Sequence, residues 1–160
     1  MSAATKHEAN LQAKLKELGI ELPPTPPAGG IYKPIVIVDS LAYLSGHGPF
    51  QVDGTYMKGR VGEDVNLEQA QLAARQVGLT LLATMRAQLG NLDRVKRIVK
   101  SLAFVNSTPD FTDQPQVING YSELFAAVFG DAGVGARSAI GTSVLPGNIP
   151  VEIEVIVELD

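Results

Sequence analysis

Arg137 and Glu152 have the residue types and the spacing to act together on one small molecule. They lie in two runs flanking Leu145-Pro146-Gly147-Asn148, which reads as a turn because proline presets φ and Gly or Asn accepts a positive one. The second run alternates, with Val151, Ile153, Val155 and Val157 facing one way and Glu152 and Glu154 the other, the pattern of a half-buried strand. Antiparallel pairing about the turn would set Arg137 opposite Glu154 and Ala139 opposite Glu152. Two residues of strand span about 7 Å, so Arg137 and Glu152 would share a face on which the small Ala139 and Gly141 leave space for a ligand. The other face (Ile140, Val151, Ile153 and Val155) would meet helices. The same spacing also fits a cross-strand ion pair on a solvated face, which is worth little. One further residue invites chemistry. His47 sits in Ser45-Gly46-His47-Gly48-Pro49, where glycines imply a bulge or close backbone approach; it reads as a solvated loop residue before a catalytic base.

The elements that would carry these residues follow from periodicity. Thr5 to Leu18 has Ala9, Leu11, Leu15 and Leu18 at helical spacing, and the prolines of 22–30 then enforce an extended connector. Ile31 to Asp39 and Leu41 to Ser45 read as strands, and Asp53-Gly54 as a hairpin turn. Asn66 with Gln69 starts a long helix in a capping-box pattern, its stripe running from Leu67 to Leu89 before Gly90-Asn91 ends it. Val95 to Asn106 is a long β-branched strand. Pro115 suits the first turn of a second helix with apolar Val117, Ile118, Tyr121, Leu124, Phe125 and Val128. The glycine-rich stretch 130–135 follows a helix and precedes a strand, the reverse of a phosphate-binding loop. This order implies an α+β fold with helices on one face of a mainly antiparallel sheet, in two parts: an arm over 1–29 and a domain over 30–160. An apolar uncovered face would call for a partner.

Composition excludes several classes. With 160 residues, 45% hydrophobic and 19% charged, the chain suits one compact domain. A net charge of -4 argues against general nucleic-acid binding, and Arg94, Lys96, Arg97 and Lys100 read as a solvated strand edge. The absence of cysteine removes disulfides, thiol nucleophiles and thiolate metal sites. Two histidines far apart make no metal site, and none is expected. No run approaches a membrane span or the apolar core of a secretory signal, so the cytoplasm is the expected location, without a membrane partner.

From about Gly30 to Leu159 the chain resembles the reactive intermediate deaminase family (RidA/YjgF). The resemblance rests on Tyr32 ahead of Leu44-Ser45-Gly46, on Asn119 heading Asn-Gly-Tyr-Ser-Glu-Leu-Phe in the second helix, and on Ala136-Arg137-Ser138 followed by Leu145-Pro146 and Val151-Glu152-Ile153-Glu154. It implies a chorismate-mutase-like α+β fold, a homotrimer with ligand clefts between subunits, and no cofactor. The implied activity is hydrolysis of enamine or imine intermediates to 2-oxo acids and ammonia; some relatives are described as endoribonucleases or translation inhibitors. By the same resemblance Arg137 would grip a substrate carboxylate, a task suited to a guanidinium fork. Glu152 would position the attacking water as a general acid/base. Tyr32 and Asn119 would be polar wall residues, and Gly46 and Ala139 would turn backbone groups to the ligand. Ala139 stands where many members have cysteine, which excludes a thiol contribution here. A non-catalytic protein binding small carboxylates in the same cleft is the alternative, and a ribonuclease the least supported.

Overall fold

The computed structural model describes residue 11 and residues 13–160. The expected N-terminal helix therefore lies partly outside the described residues; within them, residues 13–17 are helical and Leu15 is buried in the main core. Strands β1 (Ile35–Val38) and β2 (Leu41–His47) lead to the helix α1 (Leu67–Leu89). Strand β3 (Val95–Asn106), helix α2 (Gln114–Phe129) and strands β4 (Ala136–Thr142) and β5 (Val151–Leu159) complete the fold.

Local signals set these boundaries as expected. Asn66 accepts from the Gln69 N–H while the Gln69 side chain accepts from the Asn66 N–H, a reciprocal cap that satisfies two orphan donors. Gly90, at φ 77°, ends α1 in the left-handed conformation that glycine adopts without penalty. Asp53 accepts from the Thr55 N–H at 3.0 Å, so the predicted turn is present, although Phe50 and Tyr56 form only one bridge across it. The apolar stripe of α1 packs on β2 and β5, and that of α2 on β3, β4 and α1; Val151, Ile153, Val155 and Val157 of β5 are fully or almost fully buried. No described helix is long and apolar enough to cross a membrane.

The five strands lie in the order β1-β2-β5-β3-β4, with one parallel pair, β3 with β4, and otherwise antiparallel neighbours. This corrects the C-terminal hairpin: β4 and β5 do not pair, because β3 lies between them. The physical reason is α2, which carries the chain from β3 back over the sheet, a crossover that returns β4 parallel to β3. The segment 143–150 then leads to the far side of β3. The same order makes β3 an interior strand, so its basic residues are no strand edge. Lys96 and Arg97 instead meet Glu158 of β5 at 3.1 and 2.6 Å.

Candidate functional site

Strand register assigns each candidate to a sheet face. Arg137 is level with Ser101, which is level with Val155, and both of those are buried beneath the helices. Glu152 pairs with Phe104, which pairs with Ile140, on the uncovered face. Arg137 and Glu152 therefore lie on opposite faces, not on one. Two strand spacings across and three residues along, about 10 Å each way, separate their backbones. Ile140, expected under the helices, is 45% exposed on the open face.

The Arg137 side is built from α2. Pro115, Asn119 and Ser122 recur at helical spacing on a face distinct from the core stripe, and that face looks at the start of β4. The guanidinium donates to Ser122 Oγ at 2.9 Å and to the Pro115 carbonyl at 3.2 Å. Both partners are neutral, and among the described residues the ion pairs all belong to Glu158. Arg137 thus keeps an uncompensated charge and unused donors. Beside it Tyr121 and Ser101 share a buried hydrogen bond of 2.7 Å, with burial holding the tyrosine well above its ordinary pKa. These residues and Asn119 border a hollow of about 270 Å³. Gly133 and Gly135 allow it: a Cβ on the first would strike the Phe125 carbonyl, and on the second would lie 2.6 Å from the Ile98 carbonyl oxygen. Asn119 sits in the second turn of α2 rather than at its head. Ala139 follows on the same face of β4, packs against the core and borders neither hollow.

The Glu152 side is built where β2 and β5 slip register between Leu44 and His47. A Cβ on Gly46 would lie 2.9 Å from Glu152 Cδ and 3.0 Å from Oε2, so the carboxyl rests directly on the Gly46 backbone. Burial first, and the neighbouring Glu154 second, raise the Glu152 pKa above the ordinary glutamate value. Tyr32 stands across the cleft, not on a strand, with its hydroxyl accepting from the Gly29 N–H at 3.2 Å. Tyr32, Gly46 and Glu152 share a cleft of about 510 Å³ with Phe50, Tyr56, Lys58 and Ile149. Those last four went unmarked in the sequence; only the Asp53-Gly54 turn, which folds Tyr56 back on Phe50, hinted at them.

His47 is not a solvated loop residue. It is buried, its Nδ1 bonding the Ser45 carbonyl at 2.6 Å and its Nε2 meeting Thr84 Oγ1 at 2.9 Å. A carbonyl only accepts, so Nδ1 carries the proton and Nε2 accepts from the threonine. Burial lowers its pKa, outweighing the Ser45 hydrogen bond, and neither nitrogen is left to act as a base.

A chain of this length with two helices on one face of a five-stranded sheet, an unpaired arginine on one side and a perturbed acid on the other, is an α+β domain of chorismate-mutase-like class. A family model described as "YjgF/chorismate_mutase-like, putative endoribonuclease" matches residues 12–159. The chain belongs to this YjgF/RidA family. The match begins within the N-terminal segment that the motifs did not reach. Protein TCP17 of Trypanosoma cruzi is 41% identical over 149 residues, covering 92% of this chain and 93% of that protein. A crystal structure of an Agrobacterium tumefaciens protein of unknown function is 40% identical with a TM-score of 0.90, covering 98% of this chain and 97% of the other. RidA from an Antarctic Psychrobacter is 26% identical with a TM-score of 0.61, covering 84% and 94% of the two chains.

Proposed function

We propose that this protein hydrolyses reactive 2-imino acids and their enamine tautomers to 2-oxo acids and ammonia, in clefts completed between subunits of a homotrimer. The observation that carries the reading is Arg137, held by two neutral groups, free of any carboxylate among the described residues and open to a hollow with Asn119. Within one chain that cation cannot share a small ligand with Glu152, because the sheet stands between them. The Arg137 hollow of one copy meeting the Glu152 cleft of another joins the two halves. The open sheet face supports such assembly: Val36, Tyr43 and Ile140 are 48%, 42% and 45% exposed there, an apolar surface that no layer of the described residues covers.

In the joined site the Arg137 fork takes the substrate carboxylate and fixes the C=N carbon. Glu152, ionised, accepts a proton from water as the oxygen bonds to that carbon and passes it to the nitrogen, giving the carbinolamine; it then takes the hydroxyl proton as the C=O bond forms and delivers it to the nitrogen as the C–N bond breaks. Water is consumed and ammonia leaves, with no cofactor. A pKa raised toward neutrality suits a group that must both take and give a proton. Asn119 and Tyr32 supply hydrogen bonds at the walls, and Gly46 keeps the carboxyl close to the backbone.

The test generates 2-iminobutyrate enzymatically and follows its decay with and without the protein. Wild type should accelerate ammonia release, and Arg137→Ala and Glu152→Gln should each abolish most of it. Retained carboxylate binding with no acceleration, unchanged by Glu152→Gln, would instead support a binding protein. Light scattering that gives a 16.9 kDa monomer would remove the intersubunit cleft.

A further inference from the structure

Resting on the reading above, we infer that the Glu152 cleft contains a subsite for the imino acid's side chain, and that it selects a bulky aromatic or branched apolar group. The carboxylate goes to Arg137 of the neighbouring copy and the water to Glu152. The remaining substituent on the reacting carbon then points along the rest of the cleft, toward Gly48, Tyr56 and Ile149. That wall is built by close packing. A Cβ on Gly48 would lie 2.9 Å from Ile149 Cδ1 and 3.1 Å from Tyr56 Cε1, so both side chains rest on bare backbone. The Tyr56 ring leans on Phe50 with centroids 4.9 Å apart and planes at 53°.

Phe50 is itself anchored to α1, its carbonyl accepting from Gln76 Nε2 at 2.6 Å and its N–H donating to Thr80 Oγ1 at 3.2 Å. Tyr56 is therefore pre-positioned while 36% of it remains exposed toward the cleft. Pro27 of the extended connector and Pro146 add apolar walls. A cleft of about 510 Å³ is far larger than a three-carbon acid fills, and a phenyl or isobutyl group would use the apolar part of it. Among the described residues the one cation lining the cleft is Lys58, whose exposed position screens its pull on a second carboxylate.

The experiment titrates the intact protein calorimetrically with pyruvate, phenylpyruvate and 2-oxoglutarate, the oxo acids corresponding to small, aromatic and acidic imines. Phenylpyruvate should bind at least about tenfold tighter than the other two. Tyr56→Ala should erase that margin, Tyr56→Phe, which keeps the ring, should retain it, and an unchanged circular dichroism melt of each variant reports an intact fold. The inference is overturned if phenylpyruvate binds no tighter than pyruvate, if the preference survives Tyr56→Ala, or if 2-oxoglutarate binds tightest through Lys58. Turnover of phenylalanine-derived and alanine-derived imines is measured separately. The stated oxo-acid preference without acceleration of either imine upholds the subsite and refutes hydrolysis.

Discussion

Replacing Gly46 by alanine tests the site at its tightest point. Gly46 is not in the left-handed region, so alanine suits its backbone and the added methyl is the whole perturbation. That methyl would sit 2.9, 3.0 and 3.2 Å from Cδ, Oε2 and Cγ of Glu152. Carbon atoms in contact prefer about 3.5–4.0 Å, so the carboxyl must retreat by roughly 0.5–1 Å. The end of a half-exposed side chain can move at a cost to the fold under about 1 kcal/mol. Catalysis should suffer more, since a misplacement of about 1 Å costs on the order of 100-fold. We expect kcat for imine hydrolysis to fall about 10- to 100-fold, with KM nearly unchanged because Arg137 still binds the carboxylate. The assay is single-substrate kinetics on enzymatically generated 2-iminobutyrate, run in wild-type and Glu152→Gln backgrounds. Acting through Glu152, the substitution should cost almost nothing further once the acid is gone. An equal loss in both backgrounds, or wild-type activity in the single variant, would refute the reasoning.

Arg137→Lys keeps the charge but not the fork; losing one of two charge-assisted hydrogen bonds, worth roughly 1.5–3 kcal/mol, should raise KM about 10- to 100-fold, and an unchanged KM in the same assay would count against a bidentate grip. Glu152 has a raised pKa, so between the ordinary glutamate value and the raised one the folded chain binds more protons than the unfolded, and stability falls as pH rises through that window. Glu152→Gln should therefore raise Tm at pH 7 by calorimetry, with the gain closing toward pH 4; a gain independent of pH would contradict this origin. Gly120→Ala should destabilise strongly, by about 1–3 kcal/mol or more in urea unfolding, because its methyl would strike the Gln71 carbonyl of α1 where the two helices touch; a neutral result would mean the helices separate freely.

Much of the fold was legible locally. The Asn66–Gln69 cap, the Gly90 stop, the stripe of α1 and the alternation of β5 each depend on residues within a few positions, and each appears where its pattern placed it. The motif residues were also legible, and three of them, Tyr32, Gly46 and Glu152, border one cleft while Arg137 and Asn119 border another hollow. His47 misled because its sequence neighbours are glycines, whereas its environment is set by Thr84, 37 residues away on α1. The cleft walls at Tyr56, Lys58 and Ile149 carry no local pattern, since they converge only when the turn segment folds against the end of β5.

By itself, the sequence determined which residues of each strand share a face, because side chains alternate with a period of two regardless of what lies beside the strand. It could not determine which strand lies beside which. The turn at Leu145-Pro146 is as compatible with a hairpin as with a passage around β3, and the choice rests on where α2 returns the chain and on the burial of β5 between two partners. That single decision of tertiary structure put β3 between Arg137 and Glu152. It moved a pair expected on one face to opposite faces of the sheet.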